Sequence, residues 1–302
     1  MLRSFLIGCV LVSAIFNPLH AATSAGSAPP EVGFAIIKTS QVAVVEWLLT
    51  PNGSLFKQVD SNFSAFLIKH KQDYLLFDTG MGSQVDGQYQ QGMPLWLRPF
   101  FKYDHPVVSA RDQLAKAGMP PVKRVILSHS HWDHAGGVLD FPQAKIGVSA
   151  AEMEVIRKPT TGPGGTWASQ VADPSIQWDV LAFNSGPFKG YAQSLDVFQD
   201  GTVVLVPMPG HTPGSIGLFL TVDSGTVYFF IGDVAWTQDA MQAGAPKFWA
   251  ASLLVDHNAD QTHTSVAQVR TTVQAQPGLV VVPAHDSKVQ DGLGYFPNWV
   301  KQ

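Results

Sequence analysis

Cysteine is all but missing: the 302 residues contain one, Cys9. A single thiol forms no intrachain disulfide, and there is no cysteine pair from which to build a thiolate zinc site. Basic residues are also scarce. Nineteen Lys and Arg stand against 23 Asp and Glu, a formal charge of −4 at pH 7. Phosphate contacts need clustered cations, so nucleic acid is excluded as a partner. The apolar stretch from Phe5 to Phe16 is too short to cross a bilayer, and no later run is long enough either. Internal repeats, heptads and low-complexity blocks are absent, which removes solenoids and coiled coils.

The first residues read as an address. Arg3 supplies a positive start, Phe5 to Phe16 an apolar core, and Leu19-His20-Ala21-Ala22 small residues for cleavage. Residues 1–22 are therefore expected to be a signal peptide, which implies a periplasmic or secreted protein. Cys9 lies too early, with apolar residues still following, for the lipoprotein alternative. Residues 23–35, rich in Ser, Ala, Gly and Pro, are expected to be a flexible tail. Residues 36–302 have the length and the 45% apolar content of one globular domain.

Within that domain β-branched and apolar runs predict strands at 42–49, 62–69, 74–77, 122–127, 145–149, 195–198, 202–206, 216–222, 226–231 and 279–282. Helices are expected at 109–118, 150–157 and 265–274, and a further one is expected to begin at Ala135-Gly136-Gly137. Residues 87–106 carry Tyr89, Trp96, Phe100, Phe101 and Tyr103 with little periodicity and read as an aromatic loop walling a pocket. Residues 160–165 and 167–190, rich in Gly, Pro and aromatics, are expected to form a second wall.

The densest chemistry is Ser128-His129-Ser130-His131-Trp132-Asp133-His134, directly after Val125-Ile126-Leu127. Three imidazoles and a carboxylate in six positions point to a metal, and neutral imidazole with carboxylate suits zinc, iron or manganese. Four donors exceed what one tetrahedral ion with an open position takes from a single loop, so the spacing suggests two ions with further ligands elsewhere. His211 in Pro209-Gly210-His211-Thr212-Pro213-Gly214, Asp233 after Gly232, and His285 after Val280-Val281-Val282 each follow an apolar run. Gathering donors past the carboxyl ends of strands is how α/β-type sheets build sites. Asp233 is the sensible bridge, because a carboxylate has two oxygens to offer. Asp78 and Asp286 are candidates to orient ligand histidines. His70, His105, His257 and His263 lie in no motif.

This HxHxDH stretch, the Pro-Gly-His-Thr-Pro-Gly turn, the Gly-Asp and the final His, in that order, resemble the metallo-β-lactamase superfamily. The resemblance implies an α+β fold, an αβ/βα sandwich of two mixed sheets flanked by helices. It implies that His129, His131 and His211 hold one divalent ion, Asp133, His134 and His285 another, and that Asp233 bridges them. Zinc is the expected metal, with iron or manganese as alternatives. His285-Asp286, the ending Gly294-Tyr295-Phe296-Pro297-Asn298-Trp299 and Ala135-Gly136-Gly137 are most similar to N-acyl homoserine lactone lactonases. Those enzymes carry a tyrosine three residues after the bridging Asp; here that place is Trp236.

The activity expected is hydrolysis of a small lactone or ester by a hydroxide held between the ions, with Asp133 relaying its proton to the leaving oxygen. Trp236, Phe248, Trp249 and Trp96 are the expected substrate-binding aromatics. The alternatives are a β-lactamase, disfavoured by a carboxylate at 233, a phosphotriesterase, a mononuclear-iron persulfide dioxygenase, and a binding protein with a relic site. No membrane partner is expected once the leader is gone, and the oligomeric state stays open, a dimer included.

Overall fold

The computed structural model describes residues 30–50 and 53–302. The expected signal peptide and most of the expected tail lie outside the described residues. Two mixed sheets form the body. The first has six strands in sequential order: β1 (Val32–Val45), β2 (Gln58–His70), β3 (Asp73–Phe77), β4 (Arg124–Ile126), β5 (Lys145–Ser149) and β6 (Gln177–Leu181). β1, β2 and β3 are antiparallel, and β3 through β6 run parallel. The second sheet holds β7 (Leu195–Asp196), β8 (Val203–Pro207), β9 (Ile216–Thr221), β10 (Val227–Phe230) and β11 (Val280–Val282), with only β10 and β11 parallel.

Period-two alternation sorts the side chains into layers. On β1, β2 and β3, Phe34, Ile36, Phe66, Ile68, Leu75 and Phe77 face the second sheet and meet Leu205, Leu218, Leu220 and Phe230. Their neighbours Ala35, Ile37, Ala65, Leu67 and Leu76 face the other way, with Leu114 of α3 (Ala110–Lys116) and Ile156 of α4 (Ala150–Ile156). Val266 and Val269 of α8 (Ala259–Ala275) cover the outer face of the second sheet, meeting Val204, Val206, Phe219 and Phe229. The result is the expected helix–sheet–sheet–helix sandwich. Ser109 caps α3 by accepting from Asp112 N, as its position before an apolar helical face requires.

Several boundaries differ from the sequence reading. β1 starts at Val32, so residues 32–35 are strand rather than tail: Val32 pairs with His70, and its N–H and that of Glu31 donate to Asp223. The strand expected to run to Leu49 stops at Val45. Glu46–Leu49 is instead a helical turn, α1, closed by Thr50 N to Glu46 O and tied by the Glu46 carboxylate to Ser54 N and Lys57 Nζ. The aromatic loop at 87–106 begins as α2 (Val85–Gly92), whose two glycines hide its propensity; Gly92 packs so closely on Trp167 that an added Cβ would lie 2.1 Å from the ring. After Gly137 only a 3₁₀ turn forms, Val138–Asp140. Three helices in 168–171 (α5), 238–243 (α6) and 249–255 (α7), and α9 (Ser287–Leu293), carry too little periodicity to be foreseen. None of the helices among the described residues is long and apolar enough to cross a membrane.

Candidate metal centre

The seven donors meet between the two sheets. β4 is flanked by parallel neighbours and delivers residues 128–134 at its carboxyl end; β8 delivers His211, β10 Asp233 and β11 His285. Six of the seven are at least 90% buried, and Asp133, with a side chain 10% exposed, is the most open. Three triads have donor atoms within 4.8 Å of one another: His129, His131 and His211; His129, His134 and Asp233; Asp133, His134 and His285. Asp233 lies between the groups, Oδ1 3.2 Å from His134 Nε2 and 3.1 Å from His285 Nε2, Oδ2 3.5 Å from His211 Nε2. From there one carboxylate reaches donors of both groups.

The fit to a metal can be tested on the polar atoms themselves. Nε2 of His129, His134 and His211 and Oδ1 of Asp233 are buried without a hydrogen-bond partner. Unpartnered buried polar atoms are rare and costly, and here several of them point at common centres. Burial holds His129, His131 and His211 well towards the neutral form that ligates metals, helped by His134 beside His129, His211 beside His131 and Lys247 beside His211. Burial acts the same way on His134 and His285, but Asp233 above all outweighs it and raises both. Burial would raise the Asp233 carboxyl, and those two imidazoles outweigh it and lower it. The carboxylate-rich half therefore attracts positive charge, and the donor set suits divalent cations.

Three of the histidines are braced from behind. The Asp78 carboxylate accepts from Ser128 N (2.6 Å), Ser128 Oγ (2.8 Å) and His134 Nδ1 (2.9 Å), so its expected orienting role stands. It is reached at φ 59, a left-handed backbone that Asp tolerates. His285 Nδ1 donates to Asn62 O (2.8 Å) and His211 Nδ1 to Asp256 Oδ1 (2.7 Å). Glu152 is buried on α4 and ties the two ligand loops together: it accepts from Ser130 N and Oγ on one, and from Thr212 Oγ1 and Gly214 N on the other. Gly214 is needed there, because a Cβ would lie 2.1 Å from Glu152 N. Asp286 is the exception. It caps α9 through Val289 N and accepts from Gln238 N, away from the ligands. Gly136 is needed for close backbone packing: a Cβ there would meet Gly80 O and Trp132 O at 2.8 Å.

Glu152 and Asp256 escape sequence reading, since each stands on or beside a helix with no motif around it. Of the other histidines, His70 stacks on Phe198 and meets Asp200 at 2.7 Å, far from the cluster in sequence and contact; His105 and His263 are exposed.

A cavity of about 550 Å³ opens onto the donors. His131, Asp133, His211, Asp233 and His285 form its floor; Val42, Val44, Leu48, Phe63, Leu97, Phe101, Leu254 and Val255 make its walls mostly apolar. Trp96, Trp236 and Phe248 line it, as expected. Trp236 Nε1 donates to Asp233 Oδ2 at 3.0 Å, fixing the rotation of the central carboxylate. Trp249 does not line it. α7 turns that ring outward, 72% exposed, with its edge against Phe248. The loop at 96–102 is a wall, but of the expected second wall only Pro163 reaches the cavity; Trp167 is buried behind, stacked on Trp132.

Fold and centre together define a metal-dependent hydrolase. The profile of the metallo-β-lactamase superfamily matches residues 62–285, a span holding all seven donors, and the chain belongs to that superfamily. N-acyl homoserine lactonase AttM of Rhizobium radiobacter is 31% identical over 228 residues, 73% of this chain and 80% of that protein. Among solved structures, Bacillus thuringiensis AiiA with N-decanoyl-L-homoserine at its active site superposes with a TM-score of 0.67 over 90% of this chain and 100% of that one, at 18% identity. The dizinc quorum-quenching lactonase AidC does so at 0.56, over 91% and 99%, at 16% identity. At such identities these two likenesses concern the fold.

Proposed function

We propose that this chain is an exported dinuclear zinc hydrolase of lactones or esters, like the N-acyl homoserine lactonases, with iron or manganese as alternative metals. The observation that carries the reading is the set of three overlapping donor triads with unpartnered buried nitrogens, set at the floor of an apolar cavity sized for a drug-sized ligand, which His131, Asp133, His211, Asp233 and His285 line. The name of the AttM relative favours a lactone with an acyl chain. His129, His131 and His211 would hold one ion and Asp133, His134 and His285 the other, with Asp233 between. Bound divalent ions supply an acidified water as nucleophile and a Lewis acid for the carbonyl.

The chain's own residues do the rest. Asp133 faces both the cavity and His285 Nε2, 3.4 Å away, and would take the proton of the nucleophile and return it to the leaving oxygen. Trp236 keeps Asp233 oriented. Val42, Val44, Phe101 and Phe248 exclude water and give an apolar group its binding area. Export rests on the leader-like first 22 residues.

The test is purified, metal-loaded protein assayed on lactones, aryl esters, phosphotriesters and β-lactams, with metals counted by elemental analysis. Two metals per chain and preferential lactone or ester turnover are the expected outcome. One iron per chain with persulfide oxidation would replace this reading with the dioxygenase, and exclusive turnover of a β-lactam or a phosphotriester would reassign the substrate.

A further inference from the structure

One buried cation has no part in the chemistry above. Lys247 lies between α6 and α7 with a side chain 4% exposed. Lysine is almost never so buried without a partner. Its Nζ lies 2.6 Å from Asp256 Oδ1, the same oxygen that accepts from His211 Nδ1 at 2.7 Å. Nζ and His211 Nδ1 are 3.1 Å apart, two donors drawn to one acceptor. The second Asp256 oxygen accepts from Ser252 Oγ at 2.6 Å. On its other side the ammonium lies 5.5 Å from the centroid of the Trp236 ring, whose Nε1 donates to Asp233. Lys247 thus stands behind two ligands without lining the cavity.

A carboxylate behind a ligating histidine ordinarily makes the imidazole more basic and a stronger donor. An ammonium on the same oxygen opposes that effect. We propose that Lys247 is a positioning residue that tunes the metal centre: by sharing Asp256 Oδ1 it weakens the pull of Asp256 on the His211 Nδ1 proton and keeps His211 a weaker ligand than an uncompensated Asp–His pair would give. The inference rests on the metal-centre reading and concerns only the position formed by His129, His131 and His211.

The sign of the effect separates tuning from mere support. A supporting lysine loosens the metal when removed; a tuning lysine tightens it. The experiment is competition between the purified protein and a chromophoric chelator for Zn²⁺, and for Co²⁺ with its visible bands recorded. Lys247→Met should bind one of the two ions about tenfold more tightly than wild type, with altered Co²⁺ bands, whereas Asp256→Asn should bind it about tenfold more weakly. Weaker or unchanged binding in a folded Lys247→Met protein overturns the proposal. If Asp256 stranded without its cation prevents folding, the pair Asp256→Asn and Lys247→Met/Asp256→Asn serves instead. Lysine acting through Asp256 predicts equal metal affinity in those two proteins, and a difference of more than about threefold refutes it. Wild-type protein that takes up no stoichiometric metal would sink the reading of the centre and the role of Lys247 with it, whereas weaker binding in a folded Lys247→Met protein would sink only the role of Lys247.

Discussion

The floor of the site and its walls are built by different means. On the floor the donors are buried, and those in the centre have a named partner behind them: Asp78 for His134, Asp256 for His211, Asn62 O for His285, Trp236 for Asp233. On the walls the side chains make area rather than hydrogen bonds, and several are open, Trp96 68% and Phe100 74% exposed. The difference teaches where each kind of information lies. Chemistry needs angles, which buried hydrogen bonds fix to tenths of an ångström; recognition of an apolar group needs only surface removed from water. Substitutions on the floor should therefore act in large steps on turnover or metal, and those on the walls in small, graded steps that scale with substrate size.

The largest step is expected at Asp133. Asp133→Asn keeps an oxygen that can ligate but loses the carboxylate proposed to accept a proton. Turnover should fall by about 10²–10⁴, with metal content by elemental analysis still near wild type. Near-normal turnover would remove the relay role and leave Asp133 a ligand only. Next comes Asp78, which reaches no substrate. Asp78→Asn replaces an acceptor facing His134 Nδ1 and two Ser128 donors by a group that is half donor. Metal affinity, measured by chelator competition, should drop by about 10–100-fold. A variant that binds metal as tightly as wild type would show that the floor does not need its braces, and the contrast with the walls would lose its basis.

These braces also mark the limit of what the chain announces. The seven donors are legible because each sits in a dense or strand-terminal motif, and Asp78 because it follows Leu75-Leu76-Phe77 and precedes Gly80. The strands at 145–149 and 74–77 are legible from their apolar residues, and the six-plus-five sheet arrangement follows from a resemblance rather than from periodicity. Glu152, Asp256 and Lys247 are not legible. Their partners lie up to 62 residues away in sequence, as Gly214 does from Glu152, and nothing local distinguishes a carboxylate that braces a loop from one that faces water. Trp249 fails for a related reason: proximity in sequence to Asp233 says nothing of which face of α7 the ring occupies, and the short helix turns it outward. Residues 46–49 fail because a hydrophobic run fits strand and helix alike, and here the Glu46 tether to Ser54 and Lys57 decides.

Glu152 should give a smaller effect on chemistry than on folding. It joins the 128–134 and 211–215 loops through four accepted hydrogen bonds, so Glu152→Gln strands at least one buried donor, at about 1–3 kcal/mol each, and should lower Tm with residual activity in the surviving fold. Its pH dependence has a definite sign. Burial raises the Glu152 carboxyl above its ordinary 4.5, the bonds from Ser130 and Thr212 offsetting only part. A raised folded-state value means the protonated form favours folding: the contribution is full below the unfolded-state value and is lost as pH rises through the folded one. The stability advantage of wild type over Glu152→Gln should accordingly shrink between pH 4.5 and neutrality in denaturant titrations. An advantage that grows over that window would contradict the assignment of burial as the dominant cause.

The smallest effects belong to the walls, and a matched pair there sharpens the contrast. Phe248 and Trp249 are adjacent, both aromatic and within ring contact, yet only Phe248 lines the cavity. Phe248→Ala removes apolar surface from the cavity wall proposed to hold an acyl group, so kcat/KM should fall by about tenfold on a long-chain lactone or ester and hardly at all on a two-carbon acyl analogue. The loss should appear mainly in KM, because binding area away from the reacting carbonyl contributes to ground state and transition state alike. Trp249→Ala, on the outward face, should leave both substrates within about twofold. Equal chain-length dependence in the two variants would mean that the cavity does not hold the acyl group. Loss confined to Trp249→Ala would place substrate on the outer surface of α7 and turn the description of the walls inside out.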